Sequence, residues 1–170
     1  MKLNIKEIAV FGMLGSLMFA SKLAMEVFPN IHLIGVFIVA ITVVYRRKAL
    51  YPIYIFVVVF GLFYGFNIWW VPYIYIWTVL WGAVMLLPKN MPSKAVPVVY
   101  MVVCALHGFL YGTLYAPAQA IMFGFTFEQT IAWIVSGIPF DAIHGLSNLI
   151  CGILIVPLIK AMRLAERYSH

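Results

Sequence analysis

Residues 31–66 read IHLIGVFIVAITVVYRRKALYPIYIFVVVFGLFYGF. Two apolar runs flank one basic triplet, Arg46, Arg47 and Lys48. A helix rises about 1.5 Å per residue, so roughly 20 apolar residues cross the hydrocarbon core of a bilayer. The run at 31–45 is short for this, and cations that snorkel from its end extend its reach. The run at 49–66 comes close to the full length. A cationic cluster between two such runs belongs at a membrane surface, and Lys and Arg concentrate on the cytoplasmic one.

Four more spans are expected on either side of this pair. The first covers 8–28 and is broken by Pro29 and Asn30. After the pair, an interfacial turn holds Asn67, Trp69 and Trp70 and closes at Pro72. The next span covers 71–87 and stops at Pro88. Another covers 96–115 and ends before Pro117. The last opens near Pro139 and runs over 139–159. The stretch 116–137 is interrupted by Pro117, Gly124 and the polar trio Glu128, Gln129 and Thr130. It is expected to be a short helix or loop at the membrane surface. A seventh span there would move the C-terminus to the other side. The expected fold is therefore all-α: a polytopic, six-transmembrane-helix bundle in a single domain, with N and C termini cytoplasmic.

Composition supports this class. Of 170 residues, 65% are hydrophobic and 9% charged, against about 25% charged in soluble domains. The net charge of +6 does not point to nucleic acid, because the cations sit in short clusters between apolar runs. Lys2, Lys6, Arg46–Lys48, Lys89, Lys94, Lys160, Arg163 and Arg167 all fall on one side of a six-span layout. The opposite loops are aromatic, with Trp69, Trp70, Tyr73, Phe123, Phe125, Phe127 and Trp133. Cys104 and Cys151 lie in apolar runs without metal or redox spacing. No cofactor is expected.

Ionisable groups within a bilayer are costly, so each is a candidate for function. Lys22 and Glu26 are four apart and either pair or snorkel; alternatively Glu26 faces an inner cavity. His107, Tyr111 and Tyr115 share one helical face. Asp141, His144 and Asn148 share another. Both stripes lie in the outer half of the membrane and are expected to converge inside the bundle. There they form either a hydrogen-bonded packing network or a solute pocket. Tyr73, Tyr75, Trp77 and Trp81 descend a neighbouring helix, and Trp133 adds a ring at the same level. Mostly apolar walls with a few convergent polar groups are the usual character of a pocket. Asp141, read as near a helix start, faces the positive end of the macrodipole, and its anion would suit a cationic or donor-rich heterocycle. His107 and His144 could alternatively bind a metal ion. No P-loop or nucleophile setting is present, so an enzyme is not expected. Gly12, Ser16, Ala20 and Ala24 form a small-residue stripe on the first helix, which lets another helix approach closely in lipid.

These features resemble the substrate-binding membrane subunits, or S components, of energy-coupling factor vitamin transporters. The likeness rests on chain size, the six-helix layout, the stripe at Gly12, Ser16, Ala20 and Ala24, and a last helix opening IPFDAIHGLSN from Ile138 to Asn148. Within that stripe Ala20 and Ala24 are the one strict alanine-xxx-alanine pair, and they lie further out than the usual docking site. Gly12 and Ser16 are therefore the better docking candidates. The resemblance implies a multi-pass protein of a prokaryotic plasma membrane that captures a vitamin or related small heterocycle from outside. It implies assembly with a membrane scaffold subunit and two cytoplasmic ATPases, toppling to release the substrate inward, and a lid, for which Pro29, Asn30 and His32 are placed. Substrates in such families range from thiamine and riboflavin to biotin, folate and cobalamin; the aromatic density and two outer acids lean toward a thiamine-like ring. Competing readings are a metal-ion or other small-solute transporter and a non-transport membrane scaffold.

Overall fold

Asn4 opens the first helix, α1 (Ile5–Ala24). Its side chain accepts from the Glu7 N–H at 2.8 Å, and its own N–H donates to the Glu7 carboxylate at 3.2 Å. This reciprocal cap satisfies two N–H groups that a helix start leaves free. The computed structural model describes residues 3–168, so Lys2 of the basic set lies outside the described residues. Within them follow α2 (Ile34–Tyr45), α3 (Leu50–Tyr64), α4 (Tyr73–Leu86), α5 (Ala95–Phe109), α6 (Tyr111–Phe123), α7 (Phe127–Cys151) and α8 (Ile155–Tyr168), with no strand among the described residues. Short 3-10 turns at Arg46–Ala49, Ile68–Trp70 and Gly152–Leu154 join some of them.

Among the described residues, five continuous helical stretches are long and apolar enough to cross a membrane: Ile5–Ala24, Ile34–Tyr64, Ile68–Leu86, Ala95–Phe123 and Phe127–Arg167. Their outward faces are apolar. Leu62, Phe63 and Ile150 are 70%, 61% and 67% exposed, a surface suited to lipid rather than water.

The stretch Ile34–Tyr64 is not straight. Arg46 has φ 52 and ψ −118, and there the chain turns back. Side-chain contacts fix the directions. Glu7 pairs with Lys48, Phe11 stacks on Tyr51, Phe19 meets Phe60 and Phe63, and the Tyr64 hydroxyl donates to Glu26. Helices α1 and α3 therefore run parallel. Helix α2 runs the other way, since its start at Gly35 lies against Asn148 while its end at Tyr45 meets Phe11. Helix α4 returns along α3, with Tyr73 stacked on Phe60 and Trp81 donating to the Arg46 carbonyl at 3.0 Å. Helix α7 returns along α5, where Gly152 meets Met101, Asn148 meets Cys104 and Asp141 meets Gly112.

Three expectations need correction. The first helix stops at Ala24 rather than Phe28. Residues 116–137 are not a separate short helix or loop: α6 continues through Pro117 to Phe123, and α7 begins at Phe127. Prolines kink helices rather than end them when strong helix formers flank them and neighbouring groups bond the backbone beside the proline. Ala116, Ala118 and Ala120 flank Pro117, and the Tyr75 hydroxyl donates to the Leu114 carbonyl at 2.7 Å and meets the Ala118 backbone. The true break is Gly124 at φ 66, followed by a capping box of Thr126 and Gln129. Asp141 is consequently mid-helix, too far from the start of α7 to feel its dipole.

Candidate functional site

The basic residues mark one end of the bundle: Arg46, Lys89 and Arg163 line one cavity there. The polar stripes of α5–α6 and α7 meet nearer the other, aromatic end. Glycines bring these helices together. A Cβ on Gly108 would lie 2.8 Å from the Gly145 Cα, and one on Gly112 would lie 2.6 Å from Asp141 Oδ2. Small residues of this kind are what allow close helix crossings in lipid.

Asp141 accepts the Gly112 N–H with both oxygens, at 2.9 and 3.0 Å. That N–H is free because the chain bends at Leu110 before α6 begins. The positive helix end that Asp141 faces is thus the start of α6. Asn148 donates through Nδ2 to the Cys104 carbonyl at 3.1 Å. The Ile76 carbonyl accepts from His107 Nε2 at 3.0 Å.

An aromatic cluster connects these groups. The His144 ring lies 4.7 Å from Tyr111, and Tyr111 hydrogen-bonds Tyr73. Trp77 packs against His107, Tyr111 and Tyr73 at 5.7, 5.9 and 5.4 Å. Tyr111 continues to Tyr115, whose ring stacks on Trp133 at 6.0 Å and whose hydroxyl donates to the Trp69 carbonyl. Seven of the residues singled out in the sequence thus join one ring cluster, Tyr73, Trp77, His107, Tyr111, Tyr115, Trp133 and His144, while Asp141 and Asn148, on the same face of α7 as His144, are held on the Gly112 N–H and the Cys104 carbonyl. Glu26 stands apart: it is exposed at the rim, where it accepts from Tyr64 at 2.8 Å.

His32 was placed in a lid by its sequence position, and it sits inside the cluster. Its ring meets His144 at 4.6 Å and Trp77 at 6.2 Å. It is 6% exposed. Burial first, then the neighbouring His144, Lys22 and His107, hold its pKa well below the ordinary 6.5. The sequence signal was there: a histidine leads directly into an apolar run, where an ionisable group is costly. Its loop is tied down because Ser147 Oγ, on α7, donates to the Asn30 carbonyl at 3.2 Å or to the His144 carbonyl at 3.0 Å.

Five buried polar atoms of this cluster lack a hydrogen-bond partner: His32 Nδ1, Trp77 Nε1, His107 Nδ1, His144 Nε2 and Asn148 Oδ1. Each costs about 1–3 kcal/mol if left unsatisfied. Proteins keep few such atoms, and a group of them in one place calls for a physical reason. The set offers N–H donors, nitrogen acceptors and one amide oxygen between aromatic faces. A cavity of about 610 Å³ on the outer side of α3, from Arg47 to Val59, is lined by none of these residues. Among the described residues, no three His, Cys, Asp or Glu side chains are placed to hold a metal ion together.

The small-residue stripe faces outward from α1. A Cβ on Gly12 would meet nothing within 4 Å, and Ser16 and Ala20 are exposed. Gly15 instead takes the close approach of α3, where a Cβ would lie 2.5 Å from Ile55 Cγ2. No protein family matches the chain, and neither a curated protein nor a solved structure matches it.

Proposed function

We propose that this chain is a membrane-embedded capture subunit of the energy-coupling factor type, which takes a vitamin or related small heterocycle from outside and hands it to an ATP-driven module. The observation that carries this reading is the group of five unpartnered polar atoms in a buried aromatic cluster. A planar heterocycle has donors and acceptors at its edge to satisfy such atoms and faces that pack on Trp77 and Tyr111. A packing network alone would have its polar atoms paired with one another. The metal-carrier alternative needs a ligand set that the described residues do not bring together.

The same reading gives the chain six passes, because α2 and α3 run in opposite directions on either side of Arg46. Both termini then lie on the basic, cytoplasmic side of a prokaryotic plasma membrane. The outward stripe at Gly12, Ser16 and Ala20 would receive the membrane scaffold subunit, and two ATPase subunits would hydrolyse ATP below it. Asp141 is held on Gly112 and Glu26 on Tyr64, so neither acid needs a cationic substrate. That shifts the expected ring from a thiamine-like cation toward a neutral, hydrogen-bonding one.

Native mass spectrometry of gently purified protein, followed by organic extraction, tests the proposal. A stoichiometric vitamin-like molecule is the expected result. A chain that retains no small molecule, and that no vitamin in a thermal-shift panel stabilises, would overturn it.

A further inference from the structure

The second site lies at the basic end. A cavity of about 330 Å³ opens there between α2, α4, α5 and α8. Arg46, Lys89 and Arg163 line it, Tyr100 stands in its wall, and among the described residues no acidic one does. We propose that this cavity binds a phosphate group, carried by an anionic phospholipid or free as inorganic phosphate.

Arg46 is placed for the purpose. Its backbone, at φ 52 and ψ −118, takes a conformation that glycine adopts freely and other residues rarely do. Such a position costs about 1–3 kcal/mol and persists where the side chain has a use. The backbone is clamped by Trp81, which donates to the Arg46 carbonyl at 3.0 Å. The guanidinium is aimed by one hydrogen bond, from Nη2 to the Met85 carbonyl at 3.1 Å. An arginine has five donors in a planar fork, a geometry that matches phosphate oxygens. Lys89 and Arg163 come from separate elements, and like charges lining one cavity repel until an anion joins them. Val43 and Leu87 line the same cavity beside the cations. Apolar walls next to cations fit a lipid better than a free ion, and anionic lipid enriches the cytoplasmic leaflet. The proposal does not rest on the capture of any solute at the other end.

The test uses the whole chain in neutral detergent. Native mass spectrometry with added phosphatidylglycerol is expected to retain one lipid per chain, and phosphatidylcholine is expected not to be retained. R163Q alters an exposed side chain, and R46G removes the guanidinium while relieving the backbone. Both should keep or raise the lipid-free melting temperature and weaken phosphatidylglycerol binding about tenfold, the loss of one charge-assisted contact. R47Q, a neighbouring cation that lines the α3 cavity instead, should bind as the wild type does. Stabilisation by millimolar inorganic phosphate that R163Q abolishes, without a lipid preference, would support the site and assign the free ion as its ligand. Equal weakening by R47Q and R163Q would mean diffuse surface charge and would overturn the proposal. So would a chain indifferent to both phosphatidylglycerol and phosphate.

Discussion

The imidazole rings of His32 and His144 meet edge to face, with centroids 4.6 Å apart. One comes from the loop that joins α1 to α2, the other from the middle of α7. Each keeps one nitrogen without a partner, Nδ1 of His32 and Nε2 of His144. Beside them Ser147 ties the same loop to α7 through Asn30. The loop and the last long helix therefore close the buried cluster jointly. If the chain captures a solute as proposed, this contact must open to admit it.

Ligand binding should depend on α7 more than on the fold as a whole. His144→Ala is expected to weaken binding of the extracted ligand about threefold to tenfold, the value of one neutral hydrogen bond. Asp141→Asn should weaken it too, because the amide holds the start of α6 less tightly than the carboxylate does. Titration calorimetry on the purified variants measures both, with the melting temperature as the control for folding. Unchanged affinity in both would remove these residues from the site.

Stability should fall on mild acidification. His32 is buried with its pKa held well below 6.5, first by burial and then by His144. As pH drops through about 6.5, the unfolded chain takes up a proton there that the folded chain refuses. The neutral side chain's contribution is thus complete above that pH and is lost below it. The melting temperature is expected to decline between pH 7.5 and 5.5, and His32→Gln should flatten the decline. A His32→Gln profile parallel to the wild type would assign the effect to other groups.

Two glycines on α1 should respond in opposite ways. At Gly15 a Cβ would lie 2.5 Å from Ile55 Cγ2 and 3.0 Å from the Pro52 carbonyl, so Gly15→Ala forces α1 away from α3. A loss of about 1–3 kcal/mol is expected, as for other overpacked contacts. Gly12→Trp points into open space and should melt as the wild type does. It should retain ligand yet fail to co-purify with the energising module, as should Ser16→Trp. Co-purification of both at wild-type yield would place the docking surface elsewhere.

The sequence was most legible where one property repeats. Apolar runs set off by basic clusters located most of the helices, and the i, i+3 and i+7 spacing put Asp141, His144 and Asn148 on one face. It misled at prolines. Pro117 and Pro139 read as helix ends, but a hydroxyl from Tyr75 and flanking alanines carry α6 through the first, and the cap at Thr126 starts α7 well before the second. The Thr126–Gln129 capping box was visible and outranks both prolines as a boundary signal. His32 escaped the site because membership depends on how a loop folds back, which no local period records. The Gly108-x-x-x-Gly112 pair was a readable sign of a close helix crossing. The stripe on α1 drew attention first, yet it faces outward.

That crossing leads to the most discriminating stability test. At Gly108 an added Cβ would lie 2.8 Å from the Gly145 Cα and 2.9 Å from its nitrogen, and backbone atoms cannot step aside as a side chain can. Gly108→Ala must therefore part α5 from α7, with an expected cost of about 1–3 kcal/mol. The shift would also pull Asn148 from the Cys104 carbonyl and Asp141 from Gly112, so ligand affinity should fall with stability. Gly137 is in α7 as well, but a Cβ there meets nothing within 4 Å. Gly137→Ala only restricts the unfolded chain and favours the helix, so it should be neutral or stabilise by up to about 1 kcal/mol. Thermal melts of the two variants in one detergent make the comparison. Equal melting temperatures would mean that the α5–α7 spacing is looser than the glycine contact implies, and the convergence of the two polar stripes would lose its structural basis.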